Sequence, residues 1–151
     1  MPEESNKLRN RASAVILKDD KILLIKRVKP DREYFIFPGG GLDKDESFEE
    51  AVRREVKEEL CLDVEKCHFL FSIENLGVPE FITVHTGHRN EHYFLIDKYV
   101  GNPEIGGPEK ERATEHNQYH IVWLSMEEFT ELPNIFPREG VKRLIELLSE
   151  R

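Results

Sequence analysis

The sequence predicts an α+β domain in which a mixed β-sheet is packed between helices, an α/β/α sandwich. Runs rich in β-branched and aromatic residues occur in both halves of the chain, at 12–27, 33–37, about 64–71, 81–85, 92–100 and 119–124. An amphipathic helical pattern interrupts these runs at 46–60, and a second one ends the chain at about 137–150. Strands that alternate with helices in this order are typical of a sheet covered by helices.

Length and composition predict one globular domain. The chain has 151 residues, of which 38% are apolar and 34% charged, so a disordered chain is disfavoured. No apolar run approaches the ~20 residues that span a bilayer, and the polar start MPEESNKLRNR lacks the apolar core of a signal peptide. We therefore expect a cytoplasmic protein with no membrane partner. Residues 1–10 are expected to be a flexible leader, and 11–151 a single domain.

The charge disfavours a nucleic-acid partner. The formal net charge is −8, and the one local basic run, at 26–32, is short. Such a run suits a small anionic ligand better than a long polyanion. Cys61 and Cys67 lack a CxxC spacing, so they are expected to be packed, reduced thiols.

In chain order, the first two strands are expected to form a hairpin around a turn at Asp19-Asp20. The aromatic strand 33–37 is expected to end at PGGG (38–41), which needs unusual backbone angles. The Gly- and Pro-rich segment 101–117 predicts a polar loop.

Helix ends are marked by capping signals. Ser47 with Glu50 three residues later forms a capping box for the helix at 46–60. Ser125 with Glu128 does the same for a short helix at about 126–131. Pro137 suits the first turn of the last helix.

The helix at 46–60 carries more acid than its stability needs. Glu55, Glu58 and Glu59 share one surface of it, and like-charged pairs at that spacing destabilise a helix by ~0.2–0.5 kcal/mol each. At about 100° per residue, Glu55 and Glu59 fall inside the arc of Phe48 and Val52, and Glu58 falls at its margin. A solvated helix with i,i+4 ion pairs explains part of the pattern, but it does not explain acids that face inward.

Buried carboxylates must be paired, protonated or bound to a cation. Arg54 is expected to reach only some of them. A divalent cation would neutralise the group, and clustered carboxylate oxygens suit Mg²⁺ or Mn²⁺ better than zinc. The histidines at 85, 88, 92, 116 and 120 form no HExxH pair, so they favour surface or substrate contacts over a zinc site.

The residues around this helix resemble the Nudix box of the Nudix (MutT-like) hydrolases, G-x5-E-x7-R-E-U-x-E-E-x-G-U with U apolar. The matching positions span 40–62 and are Gly40, Glu46, Arg54, Glu55, Val56, Glu58, Glu59 and Leu62. The final glycine of the pattern is Cys61 here. That glycine is expected to end the helix in a left-handed conformation, so Cys61 should shift the geometry only slightly.

The resemblance implies a pyrophosphohydrolase. Nudix enzymes cleave a nucleoside diphosphate linked to another moiety, by attack of water with divalent metal ions bound. It implies that Glu55, Glu58 and Glu59 bind metal with help from the Gly40 carbonyl, and that Glu55 or Glu59 alternatively orients or deprotonates water. Glu46 and Arg54 would support the site, although an ordinary salt bridge between loop and helix explains them equally. Another acid is often recruited from the loop before the last core strand, and Glu115 is placed best, with Glu109 and Glu111 behind it.

Substrate contacts are expected from side chains outside the box. Arg27 suits a phosphate, or is a surface arginine at a strand end, and Arg32 is a weaker choice. Tyr34 and Phe35 would stack on a base, although aromatic residues in a short strand are more often core. Residues 107–124 are expected to contribute to substrate choice.

Three functions follow from these residues: a Mg²⁺-dependent hydrolase of a small nucleotide derivative, a non-catalytic nucleotide sensor on the same fold, and an RNA 5′-end pyrophosphohydrolase. The complete acid set disfavours the sensor, and the acidic balance disfavours RNA. Nudix proteins commonly form homodimers, and the sequence leaves the oligomeric state open.

Overall fold

A computed structural model describes residues 9–75 and 89–150. The nine strands are β1 (Arg9–Val15), β2 (Leu17–Lys18), β3 (Lys21–Lys29), β4 (Arg32–Ile36), β5 (Gly39–Gly41), β6 (Asp63–Asn75), β7 (Arg89–Val100), β8 (Gln118–Ser125) and β9 (Ile135–Phe136) in this part of the chain. The helices described there are α1 (Phe48–Leu60), α2 (Gly107–Arg112), α3 (Met126–Glu131) and α4 (Arg138–Ser149). No helix within these ranges is both long and apolar enough to cross a membrane.

The strands form two mixed sheets where the sequence predicted one. One sheet has the order β5-β1-β7-β6, in which β1 and β7 run parallel and the other pairs antiparallel. The second sheet has the order β2-β3-β4-β9, with β8 paired to β3. The α+β class with helices packed on mixed sheets is therefore confirmed.

Alternation along the strands divides the core into two layers. In β3, Leu23 and Ile25 face a cluster with α1, whereas Ile22 and Leu24 face a cluster with α3 and α4. Since successive strand residues point to opposite faces, one strand supplies both cores. The helices therefore cover opposite sides of the sheets.

Local signals located most elements. Asp19 and Asp20 have positive φ angles, 52° and 63°, and join β2 to β3 as the predicted turn. Both capping boxes are present, at Ser47 and Ser125. Pro137 is the N-cap of α4 and lies one residue before its first turn.

Two boundaries differ from the prediction. β1 begins at Arg9, so residues 9 and 10 of the expected leader belong to a sheet, and residues 1–8 lie outside the described part. The segment predicted as a polar loop contains the six-residue helix α2, which the sequence did not predict because the segment is rich in Gly and Pro. The strand predicted at 81–85 lies outside the described residues.

Candidate active site

A three-glycine strand lies beside the acidic helix. Gly39 has φ 144°, and a Cβ there would lie 2.1 Å from the Ala12 carbonyl oxygen of β1. A Cβ on Gly40 would lie 2.5 Å from the Glu55 carboxyl carbon. The Gly39 N–H donates to Glu59 Oε1 at 2.7 Å. Glycines at these positions thus let the backbone reach the carboxylates of α1.

Burial of the three acids follows the helical-wheel prediction. Glu59 is 7% exposed, whereas the side chains of Glu55 and Glu58 are 16% and 44% exposed. Burial raises the pKa of Glu55, against the attraction of Arg54. Burial also raises the pKa of Glu59 well above its ordinary value, and the nearby Arg11 charge and the Gly39 N–H oppose that shift.

Arg54 joins the glycine loop to the helix. It donates from Nε to Glu46 Oε2 at 2.8 Å and from Nη2 to Glu46 Oε1 at 2.9 Å. Its Nη1 donates to Glu55 Oε2 at 3.0 Å and to Glu58 Oε1 at 3.1 Å, and its Nη2 donates to the Gly41 carbonyl at 2.9 Å. The bonds from Arg54 hold the pKa of Glu46 below its usual range. Arg54 therefore reaches Glu55 and Glu58 and none of these bonds reaches Glu59, as the expectation that it reaches only some of the acids required.

A cavity of about 390 Å³ opens beside these residues. Its acidic lining consists of Glu55, Glu58, Glu59 and Glu109, and its basic lining of Arg11, Arg27 and Arg112. Ile25, Ile36, Tyr119, Gly39 and Gly40 complete the lining. The cavity thus combines clustered carboxylates with three guanidinium groups, which suits an anionic ligand carried with a cation.

Arg27 lines this cavity from within β3, two residues before the strand ends. Its guanidinium carbon lies 3.9 Å from the centre of the Tyr119 ring, and Nη2 donates to Asn117 Oδ1. Its Nε is buried and has no hydrogen-bond partner among the described residues. Ring and amide together restrict where the guanidinium can lie.

The additional acid of the cavity is Glu109 of α2, and the structure does not bring Glu115 there. The Glu115 side chain is 84% exposed and lies 3.2 Å from His116 Nε2. Glu109 lines the cavity, and its Oε1 is buried without a hydrogen-bond partner in the part of the chain that the structure describes. The helix that the sequence did not predict is what places Glu109.

Three expected substrate contacts lie away from the cavity. Tyr34 is 3% exposed and packs edge-on against Phe136, and Phe35 is 8% exposed in the core with α4. Arg32 binds the adjacent Asp31 at 3.0 Å. Ile36, which follows Phe35 in the strand, lines the cavity instead. A five-residue strand has two buried sides here, and alternation alone does not tell which one meets a cavity.

Sequence reasoning missed Arg11, Arg112 and Tyr119 as lining residues. Arg11 lay next to the presumed leader, and no local pattern marked it. Tyr119 lies in the 107–124 segment that was expected to affect substrate choice, but nothing in the segment singled it out. The pairing of β3 with β8 places Tyr119 opposite Arg27, and that pairing joins distant parts of the chain.

The oxygen atoms of Glu55, Glu58, Glu59 and the Gly40 carbonyl are ligands of the chemical type that a hard divalent cation prefers. In the ranges 9–75 and 89–150, however, no three His, Cys, Asp or Glu side chains are arranged to hold a metal ion. The bonds from Arg54 direct the carboxylates of Glu55 and Glu58 toward the guanidinium. Cys61 and Cys67 are free thiols.

Cys61, which occupies the position of the last glycine of the box, adopts the left-handed conformation expected of that glycine. Cys61 caps α1 with φ 60° and ψ 31°, and its N–H donates to the Lys57 carbonyl. Glycine adopts these angles more easily than any other residue. The helix still ends at this residue, so the replacement preserves the cap.

The protein-family model of the NUDIX domain matches residues 7–144, which is most of the chain. This chain belongs to the Nudix family. The resemblance drawn from residues 40–62 is therefore confirmed, and the protein is an enzyme that acts on acid anhydrides in phosphorus-containing compounds. Nudix hydrolases generally use divalent metal ions.

Related proteins carry two different substrate names. An RNA pyrophosphohydrolase of Pelagibacter ubique is 28% identical over 152 residues, which cover 95% of this chain and 92% of that protein. An ADP-ribose pyrophosphatase of Methanocaldococcus jannaschii is 37% identical over 98 residues, which cover 64% of this chain and 55% of that protein. The crystal structure of a MutT Nudix hydrolase from Burkholderia pseudomallei matches with a TM-score of 0.68 at 25% identity, over 91% of this chain and 98% of that one. The first two names describe hydrolysis of a diphosphate or triphosphate linkage and the third describes a Nudix hydrolase, and the two named substrates differ.

Proposed function

We propose that this Nudix enzyme is a Mg²⁺-dependent pyrophosphohydrolase of a small nucleoside diphosphate derivative, and that Mn²⁺ can replace Mg²⁺. Water adds to one phosphorus of the diphosphate, the bridging P–O bond breaks, and NDP-X yields NMP and P-X. The observation that carries the proposal is the position of Glu55, Glu58 and Glu59 on one side of a cavity that three arginines also line. A cytoplasmic location and a homodimer remain expectations from the sequence and the family.

Glu55, Glu58, Glu59 and the Gly40 carbonyl would hold the cation. Bound there, a divalent ion supplies positive charge that lessens the repulsion between these acids and the diphosphate, polarises the phosphoryl group and makes water more acidic. Arg54 would give up its bonds to Glu55 and Glu58 and keep its two bonds to Glu46. The protein thus has a cation in place that balances the acids before a metal binds.

The more buried acids, Glu55 and Glu59, are the candidates for activating water. Glu55 and Glu59 both line the cavity, so either of them, in place of binding the cation, can orient water or take a proton from it. Glu109 is a further acid that can orient water, because its buried Oε1 lacks a partner among the described residues. The exposed side chain of Glu115 does not line the cavity, so we assign this role to Glu109.

The arginines are suited to the phosphates that do not react. Arg27 is held by Asn117 and the Tyr119 ring, so little of its side-chain freedom remains to be lost when an oxyanion binds. Ile25, Ile36 and the Tyr119 ring offer apolar contact for a base or another flat group.

A second substrate class is the 5′ end of RNA. The similarity to an RNA pyrophosphohydrolase over 95% of the chain favours it, whereas the net charge of −8 disfavours extended contact with a polyanion. In both cases the same acids would serve the same bond cleavage.

A substrate screen separates these possibilities. The purified protein is incubated with ADP-ribose, sugar nucleotides, dinucleotides, ordinary and oxidised nucleoside triphosphates, and 5′-triphosphorylated RNA, each with Mg²⁺, with Mn²⁺ or with EDTA. We expect NMP and P-X from a nucleoside diphosphate derivative with either metal ion and no product with EDTA. If only RNA is hydrolysed, the substrate is the 5′ end of RNA and not a small nucleotide derivative. If nucleotides bind but no compound is hydrolysed, the protein is a non-catalytic nucleotide sensor.

A further inference from the structure

A buried ion pair lies behind the acidic side of the cavity. Arg11 of β1 and Glu91 of β7 are directly opposite each other in the parallel pairing of these strands. Arg11 Nε lies 3.4 Å from Glu91 Oε1, and the two side chains are 21% and 2% exposed. The buried Tyr93 hydroxyl donates to Glu91 Oε2 at 3.2 Å. Both oxygens of this buried carboxylate therefore have a partner, as a buried charge requires.

Arg11 is also part of the cavity. It lines the cavity together with Glu55 and Glu59, and the latter is the acid that the bonds from Arg54 do not reach. The Arg11 guanidinium is held in place by Nη2, which donates to the Phe37 carbonyl at 3.1 Å, and by Nε, which donates to Ser13 Oγ at 3.3 Å. Arg11 thus lies near the inner end of the acidic group without a bond to it among those described, whereas Arg54 binds its outer end.

We propose that Glu91 is a positioning residue that keeps the Arg11 guanidinium from pairing with Glu59 and Glu55, and so leaves their oxygens available to a divalent cation. The proposal rests on the metal site proposed above. The Glu91 carboxylate gives Arg11 a counter-charge in the core, so the Arg11 guanidinium stays beside β7. Without that charge, the carboxylates that face the cavity become its alternative partners, because charges in a poorly hydrated site attract strongly.

A purely structural role makes a different prediction. If the pair only stabilised the fold, loss of either charge would loosen the site and weaken cation binding. If Glu91 restrains Arg11, the two losses act in opposite directions. Removal of the Glu91 charge frees a competing cation, whereas removal of the Arg11 charge leaves the acids more negative.

The test measures Mn²⁺ binding by the full chain, from the electron paramagnetic resonance signal of free Mn²⁺, so that no turnover is required. The variants are Glu91→Gln, Arg11→Met and the double variant. The matched control is Glu65→Gln, which breaks an exposed pair with Lys98 (3.5 Å) on the same sheet, away from the cavity. Circular dichroism checks that each protein is folded.

We expect Mn²⁺ to bind Glu91→Gln about tenfold more weakly than wild type and Arg11→Met several times more tightly. The double variant should return close to wild type, because both charges are gone, and Glu65→Gln should match wild type. Equal affinity in Glu91→Gln and wild type, or weaker binding by Arg11→Met, would overturn the proposal.

Three further outcomes are informative. If Glu91→Gln does not fold, Glu91→Asp keeps the charge and withdraws it from Arg11 by one methylene, and we expect about threefold weaker binding; unchanged affinity would overturn the proposal. Wild-type protein that binds no Mn²⁺ would overturn the proposed metal site and this inference with it. Tight wild-type binding that does not respond at Glu91 would overturn this inference alone.

Discussion

Arg54 binds Glu46 through two parallel hydrogen bonds, of 2.8 and 2.9 Å, across eight residues of sequence. The pair fixes the loop that follows the glycine strand to the middle of α1. A planar guanidinium makes this two-point contact, whereas an ammonium group cannot. The same guanidinium reaches Glu55 and Glu58, so one side chain positions the loop and balances the acids.

Arg54→Lys should therefore lower both stability and activity. We expect a loss of about 1–2 kcal/mol in the free energy of unfolding, since charged hydrogen bonds are lost, and a fall in kcat of about tenfold or more. Denaturant unfolding and steady-state kinetics measure the two effects. The control is Lys57→Arg on the same helix, where the pair with Asp63 is exposed and contributes little. Wild-type kinetics in Arg54→Lys would contradict the role of the two-point contact.

Glu58→Gln should abolish turnover in a protein that remains folded. The Glu58 side chain is 44% exposed, so its charge is not needed for the core, and the amide is a poor ligand for a hard cation. We expect kcat to fall by about a thousandfold, which corresponds to the several kcal/mol that a metal ion contributes to such a reaction. Glu49→Gln changes the same residue type on the outer face of α1 and should retain full activity. An active Glu58→Gln would remove Glu58 from the metal site.

Arg27→Ala should mainly raise KM. Arg27 is the cation held against the Tyr119 ring, so its loss removes the proposed phosphate contact without touching the acids of α1. We expect KM to rise about tenfold, as for one lost charged hydrogen bond, with a smaller change in kcat. Lys26→Gln, at the next residue of β3 and paired with exposed Glu33, is the control. A fall in kcat at constant KM would indicate instead that Arg27 acts only in the transition state.

Cys61→Gly should stabilise the protein. Cys61 has φ 60° and ψ 31°, and relief of this strain outweighs the greater chain freedom of glycine when unfolded. We expect the melting temperature to rise by roughly 1–3 °C for a gain of about 0.5–1 kcal/mol. Cys61→Ala removes the sulfur and keeps the Cβ, so it should not gain stability. An equal rise in both variants would show that the thiol, and not the backbone angle, limits stability.

His92 should make the fold sensitive to mild acid. Its ring stacks on Phe48 with centroids 3.5 Å apart, and burial lowers its pKa below 6.5. As the pH falls below about 6.5, the unfolded chain takes up a proton before the folded one, so the free energy of unfolding falls until the folded pKa is passed.

His92→Phe should remove this part of the pH dependence and keep the stacking. Urea unfolding at pH 7.5 and at pH 5 measures the difference for both proteins. His92→Gln loses the ring as well, so it should show the same flattened pH dependence with lower stability at both pH values. A pH dependence identical in His92→Phe and wild type would contradict this origin.

Much of the site was evident in the sequence because its decisive contacts are local. The capping box of Ser47 and Glu50 spans one helical turn, and the wheel that placed Glu59 inside depends only on helical geometry. The same holds for the left-handed Cys61 at the helix end. Such features are determined by neighbours in the chain, so their residue types reveal them.

The sequence did not reveal that Glu109 is the additional acid of the cavity, nor that Tyr34 and Phe35 are buried away from it. Glu109 and Glu115 both lie in a segment with loop composition, and only the fold of α2 places Glu109 in the cavity. Tyr34 and Phe35 have the composition of a stacking pair, yet the packing of α4 and β9 buries that strand. Which face of a strand meets a cavity depends on what covers the other face.

The chain by itself determined where α1 begins and ends, that its acids cluster, and to which enzyme family it belongs. The tertiary structure alone decided which cations meet them: Arg11 faces Glu91 because strands about eighty residues apart align in parallel, and Tyr119 faces Arg27 because β8 returns beside β3. Contacts along a helix follow from its period, whereas contacts between distant strands depend on how the whole core closes.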